Sequence, residues 1–159
     1  YSELGKGTIF KIYLPRHLVE RSLLPEKIPN KPSKRGKQTV LVVEDERAIL
    51  NMITKILKRQ GYTVIAAATP EEAIHLANKH TSDMHLLISD VIMPGMNGVE
   101  LYQTLSSEFD GLRVLFMSGY SEDYLSPHGV FDQDTAFLEK PFSRNQLLSK
   151  IQDVFAENP

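Results

Sequence analysis

Residues 38–61 read QTVLVVEDERAILNMITKILKRQG, and the fold follows from how this stretch divides. Thr39 to Val43 is an unbroken apolar run, the pattern of a strand covered on both faces, and it ends on the acidic pair Glu44-Asp45. Ile49, Met52, Ile53, Ile56 and Leu57 then recur at helical spacing until Gly61 stops them, which predicts an amphipathic helix with these five side chains toward the core.

The same unit repeats downstream. Tyr62 to Ala66 is expected as a second strand. Thr69-Pro70-Glu71-Glu72 opens a second helix, with Thr69 as N-cap, Pro70 at the first helical position and Glu72 closing a capping box, and this helix runs to about Lys79. His85 to Ser89 reads as a third buried strand ending on Asp90. After the Pro94-Gly95 loop, Asn97 and Glu100 cap a helix through Leu105. Arg113 to Met117 is a fourth strand ending on Ser118-Gly119, and Thr135 to Glu139 a fifth ending on Lys140-Pro141. Ser143 and Gln146 cap a last helix that presents Leu147, Leu148, Ile151, Val154 and Phe155. Between the last two strands, Pro127 and Gly129 limit any helix in 121–135 to about two turns. Five strand-helix repeats imply an α/β fold, a parallel sheet with helices on both faces, whose ligands sit beyond the carboxyl ends of the strands.

Composition narrows the chemistry. The 159 residues are 42% hydrophobic and contain no cysteine, so disulfides, thiolate zinc sites and cysteine nucleophiles are excluded. No run is long enough to span a bilayer, and a cytoplasmic setting is expected. The chain opens on Tyr1 without Met and reads as part of something longer, whose remainder could carry a membrane anchor. Charge is unevenly placed: residues 16–37 carry seven basic and two acidic side chains, whereas 38–159 carry nine basic and seventeen acidic. An acidic folded part repels nucleic acid, and the basic stretch, interrupted by Pro25, Pro29 and Pro32, reads as a solvated tether.

The candidate site residues all fall at strand ends: Glu44 and Asp45, Asp90, Ser118, and Lys140. Three carboxylates converging on one sheet edge need a shared cation, and an all-oxygen donor set favours a hard ion such as magnesium. Lys140 adds a positive charge and Ser118 a hydroxyl, so nucleophile, metal site and phosphate partners for phosphoryl transfer are present together. Taken singly, each residue has a plainer reading: helix-start charge for Glu44-Asp45, turn former for Asp90 and Ser118, strand exit for Lys140-Pro141. Their joint occurrence in this order removes most of the force of those readings. The five histidines show no matched ligand spacing and are expected to be solvated or satisfied locally. Gly5-Lys6-Gly7-Thr8 lacks the spacing of a phosphate-binding loop and reads as a turn.

Four motifs, Val40-Leu41-Val42-Val43-Glu44-Asp45-Glu46, Ile88-Ser89-Asp90-Val91-Ile92-Met93-Pro94-Gly95-Met96-Asn97-Gly98, Phe116-Met117-Ser118-Gly119 and Phe137-Leu138-Glu139-Lys140-Pro141-Phe142, resemble those of response-regulator receiver domains. The resemblance spans residues 38–157. It implies a doubly wound, flavodoxin-like (βα)5 three-layer sandwich with strand order 2-1-3-4-5. It also implies that Asp90 is the phosphoacceptor, Asp45 a direct magnesium ligand, Glu44 a helper acting through water, and the backbone carbonyl of Ile92 a further ligand. Lys140, commonly followed by a cis bond to Pro141, would pair with the phosphate, and Ser118 would turn inward to it. Phe137 occupies the position of the switch aromatic, although plain core is an equal reading, and phosphorylation would alter the helix four/strand five surface.

Residues 1–15, Tyr1 to Pro15, are similar to the closing turn and strand of a histidine-kinase ATP-binding domain, with Phe10, Ile12 and Leu14 alternating. Residues 16–37 would then be a linker, and the whole would be the C-terminal part of a hybrid sensor histidine kinase. The expected partner is a histidine-kinase core or a histidine phosphotransfer protein, with self-association through the orphan strand as a further expectation. No direct membrane contact is expected. A receiver-like module that regulates the attached kinase without phosphorylation is the alternative. An aspartate-nucleophile phosphatase would want an acid two positions after Asp90, where Ile92 stands.

Overall fold

The computed structural model describes residues 37–79, 84–120 and 135–156, together with 2, 3, 5, 7, 8, 11 and 13. The chain divides into two compact units, Tyr1–Pro32 and Ser33–Pro159. In the first, Ser2–Glu3 pairs antiparallel with Gly7–Thr8, and Gly5 and Gly7 take positive φ, so the turn expected there is the bend of a short hairpin. The strand expected over Phe10, Ile12 and Leu14, the linker up to residue 36, the segment 121–134, and His17, His80 and His128 lie outside the described residues.

The second unit is the predicted α/β sandwich. Its strands are β1 (Thr39–Val43), β2 (Thr63–Ala67), β3 (Leu86–Asp90), β4 (Arg113–Ser118) and β5 (Phe137–Glu139), hydrogen-bonded in the order β2-β1-β3-β4-β5 with every pair parallel. Adjacent residues along a strand point to opposite faces, so each apolar run feeds two cores. Val40, Val42, Leu86, Ile88, Leu115 and Met117 pack under α1 (Arg47–Gln60) and the C-terminal helix (Arg144–Ala156). Leu41, Val43, Ile65 and Leu87 pack under α2 (Pro70–Lys79) and α3 (Gly98–Ser106).

Helix ends follow the capping chemistry in the sequence. Gly61 takes φ 94° and its N–H, with that of Tyr62, returns to carbonyls of the last turn of α1. Because Tyr62 is used in this way, β2 begins one residue later than expected, at Thr63, and runs on to Ala67, whose carbonyl accepts the Glu44 N–H at 3.2 Å. At α2 the Thr69 hydroxyl oxygen accepts the Glu72 N–H (3.2 Å), but the Glu72 carboxylate reaches past the cap to the Ala68 N–H (2.8 Å). Asn97 with Glu100, and Ser143 with Gln146, form reciprocal capping boxes.

Two further expectations are corrected. On α1 the fully packed residues are Leu50, Ile53 and Leu57, with Ile49 and Ile56 partly buried, and Met52 is 41% exposed. The covered face is thus shifted toward Leu50 and away from Met52, because Leu50 and not Met52 joins the cluster formed with the sheet and the C-terminal helix. β5 is also shorter than the run Thr135–Glu139: Ala136 contributes only its carbonyl, to the Phe116 N–H at 2.9 Å, before pairing begins at Phe137.

Candidate functional site

β1, β3, β4 and β5 end at the same edge of the sheet, and parallel pairing brings their last residues side by side. Asp90 stands opposite Met117 in the register, and Ser118 opposite Glu139. The Lys140 N–H donates to the Ser118 carbonyl at 2.7 Å, so Lys140 is held by the ladder at its backbone while its side chain extends across the edge. The bond from Lys140 to Pro141 is cis, as expected.

Carboxylate oxygens of Glu44, Asp45 and Asp90 lie within 4.8 Å of one another. Lys140 Nζ sits between two of them, 2.6 Å from Glu44 Oε2 and 2.6 Å from Asp90 Oδ2. Glu44 is 1% exposed, Asp90 half-buried and Asp45 exposed, so the cluster runs from the protein interior to solvent. The second Asp90 oxygen, Oδ1, accepts the Ile92 N–H at 3.1 Å, and Glu44 Oε1 accepts the Glu46 N–H at 3.4 Å.

The electrostatics follow from burial. Loss of water raises the Glu44 pKa above the usual carboxylate value, and the neighbouring Asp90 charge pushes the same way; the hydrogen bond and charge of Lys140 offset this only in part. For Lys140 burial acts downward, but hydrogen bonds to Asp90 and Glu44 and the pull of both charges outweigh it, and its pKa is raised. Two negative groups thus share one cation, and the more buried of them is under-compensated. The donor set fits a magnesium ion: three carboxylates converge, no nitrogen or sulfur ligand is among them, and Asp45 opens the cluster to water.

Of the other expected residues, Ser118 is buried beside this edge, and its hydroxyl oxygen accepts the Tyr120 N–H at 3.0 Å. Phe137 is buried in a small apolar cluster with Val91 and Phe116, on which Tyr102 packs edge-on to Phe116. Ile92 projects its side chain into solvent, 54% exposed, and faces the site through its backbone. Of the described histidines, His75 is exposed, while His85 accepts the Thr39 N–H through Nδ1 at the far end of the sheet. Two residues at the site were not singled out beforehand. Ser89 is a fully buried polar residue in an otherwise apolar row, and Tyr120 is a half-exposed aromatic just beyond Ser118. A hydroxyl closing the run Leu86-Leu87-Ile88 was the available signal for the first.

Comparison with known proteins agrees with this geometry. The family described as the response regulator receiver domain matches residues 40–152. A sensor kinase CckA of Brucella abortus (strain 2308) is 35% identical over 160 residues, covering 96% of this chain but 17% of that protein, so the chain spans under a fifth of this relative's length. Among solved structures, the receiver domain of a hybrid histidine kinase CckA aligns at TM-score 0.61 and 33% identity, over 72% of this chain and 96% of that one. The chemotaxis protein CheY4 of Vibrio cholerae aligns at TM-score 0.64 and 31% identity, over 75% and 99%.

Proposed function

This chain belongs to the response-regulator receiver family of two-component signalling, and from that premise we propose that Asp90 is its phosphoryl acceptor. The observation that carries the reading is the placement of Lys140 Nζ at 2.6 Å from both Glu44 and Asp90, a cation already docked on the nucleophile at the strand edge. A carboxylate oxygen of Asp90 attacks the phosphorus of a phosphohistidine. The new O–P bond forms as the P–N bond breaks, and the electron pair returns to the imidazole, which leaves neutral once it has taken a proton.

Glu44, Asp45, Asp90 and the Ile92 carbonyl would hold magnesium, which when bound supplies positive charge against the phosphoryl oxygens. The chain's own groups complete the cradle. The Ile92 N–H steadies Asp90 Oδ1, leaving Oδ2 on the Lys140 side. Lys140 can exchange its carboxylate partners for a phosphoryl oxygen without leaving the edge. Ser118, whose oxygen accepts from Tyr120, keeps its own proton to donate. Burial of Phe137 between Val91 and Phe116 describes one position of the proposed switch aromatic, and movement there would change the surface that β5 and the helix expected within 121–135 offer to partners.

We further read residues 1–15 as the end of a histidine-kinase ATP-binding domain, 16–37 as a linker and 38–157 as the receiver, and the donor as a histidine-kinase core or histidine phosphotransfer protein in the cytoplasm. Similarity to a sensor kinase along 96% of the chain, beyond the receiver itself, supports this. No helix among the described residues is long and apolar enough to cross a membrane. Intact mass after incubation with magnesium and acetyl phosphate tests the reading. The wild type should gain one phosphoryl group and Asp90→Asn none; an adduct of equal yield in Asp90→Asn would overturn Asp90 as acceptor. No adduct in the wild type, together with no magnesium binding, would favour a receiver-like module that works without phosphorylation.

A further inference from the structure

β3 ends in a polar seam that the acceptor chemistry above does not use. Ser89 is 0% exposed and lies two residues after Leu87, on the face of the sheet covered by α2 and α3. A hydroxyl there is desolvated, and it must find a partner. It donates to the carbonyl of the next residue, Asp90, at 2.8 Å.

The surroundings explain why this bond matters. The last ladder bond beyond β3 runs from the Val91 N–H to the Met117 carbonyl (2.9 Å), and the Gly98 N–H then closes the 91–97 loop onto the Val91 carbonyl (2.9 Å). Gly98 therefore lies directly against the Asp90 peptide. A Cβ at this position would collide with the Asp90 carbonyl oxygen and come within 2.9 Å of Ser89 Oγ. The first residue of α3 is thus pressed onto the carbonyl, and the Ser89 hydroxyl supplies a donor inside that contact. The Asp90–Val91 peptide plane in turn aims the following backbone, whose Ile92 N–H holds Asp90 Oδ1 at 3.1 Å.

We propose that Ser89 is a positioning residue for Asp90: its buried hydroxyl, sealed under Gly98, locks the peptide that follows the nucleophile and so orients the acceptor carboxylate. The inference rests on Asp90 being the phosphoryl acceptor. It concerns a residue that touches neither metal nor phosphoryl group, and its effect is carried through the backbone.

The test follows phosphoryl adduct formation by intact mass in the full 159-residue chain, with magnesium and varied acetyl phosphate. Wild type, Ser89→Ala, Ser89→Cys and Asp90→Asn are compared, and thermal unfolding midpoints are taken alongside. Alanine removes the hydroxyl and leaves a gap, whereas cysteine weakens the donor and adds bulk, so a loss shared by both variants points to the hydrogen bond and not to packing of either sign. The maximal rate should fall roughly three- to tenfold in both Ser89 variants, the scale of loosening one hydrogen bond behind a positioned group, with the half-saturating acetyl phosphate concentration unchanged. Wild-type rates in both variants would overturn the proposal. A slow alanine variant beside a cysteine variant at wild-type rate would also overturn it, since volume alone would then suffice. If Ser89→Ala does not fold, the cysteine variant decides by itself. No adduct on Asp90 in the wild type would instead defeat the acceptor assignment, and the inference with it.

Discussion

At the amino ends of the strands, the Thr39 N–H donates to His85 Nδ1 at 3.2 Å, the His85 N–H returns to the Thr39 carbonyl at 3.0 Å, and the Arg113 N–H reaches the His85 carbonyl at 3.2 Å. The Arg113 guanidinium lies over the Phe155 ring, 5.7 Å from its centroid, and Phe155 stacks on Tyr62. At the carboxyl ends of the same sheet, three carboxylates converge, two of them on the Lys140 ammonium, and burial still raises the pKa of Glu44. One end ties its strand N–H groups into backbone and imidazole partners and lays the Arg113 guanidinium over an aromatic ring, leaving Gln38 Oε1 as its one buried oxygen without a partner among the described residues. The other end concentrates like charges, which costs stability unless a further cation is bound there, and it is this end that carries the proposed function.

This division is open to three measurements beyond those already given. The largest effect is expected from Gly98→Ala, because the new methyl meets a backbone carbonyl that cannot step aside. The loss should lie at or beyond the upper end of the ~1–3 kcal/mol of an overpacked core, and adduct formation on Asp90 should fall with it. Denaturant unfolding and intact mass read the two together. A stable Gly98→Ala protein reacting at the wild-type rate would show that α3 is not seated on the Asp90 peptide.

Phe155→Ala should cost about 2 kcal/mol, from lost apolar burial and the two ring contacts, while the folded protein keeps its phosphorylation rate. This comparison is the most direct way to break the contrast. A matching loss of rate would mean that the two ends are coupled through the sheet.

The smallest effect concerns pH. Burial raises the folded-state pKa of Glu44 above its unfolded value, so the native domain holds that proton more tightly than the unfolded chain does. The resulting stability is fully present below the unfolded value and is lost as pH rises through the raised folded value. Without magnesium, the wild-type unfolding midpoint should therefore decline relative to Glu44→Gln as pH increases across and above the carboxylate range. Magnesium should reduce that decline, since a bound cation favours the carboxylate. Parallel profiles with and without the metal would show that Glu44 does not feel the shared charge.

Much of this protein was legible in its residues because local chemistry and global fold agree. Apolar runs covered on both faces, Gly61 after a helix, Asn97 with Glu100 and Ser143 with Gln146 are decided within a few residues of chain, and each appears in the structure where expected. The site residues were legible for a related reason: in a parallel sheet, the residue after each strand has one edge to go to. Some departures were local, as where Tyr62 closes α1 and delays β2; in the others the deciding partner was distant in sequence. Leu50 displaces Met52 from the core because the sheet chooses the covered flank of α1, and β5 is trimmed by what β4 offers it.

The succession of strands and helices along the chain and the identity of the acidic and basic residues at the carboxyl edge were therefore determined by the sequence itself, since periodicity, caps and strand ends are properties of short segments, whereas the side-by-side order of the strands was implied only by the resemblance to receiver domains. Only the tertiary structure decided that Lys140 bridges Glu44 and Asp90, that burial raises the Glu44 pKa despite this cation, and that Ser89 and Gly98 close on the peptide behind Asp90. These depend on distances between segments and on the water excluded when they meet, and no local pattern encodes either.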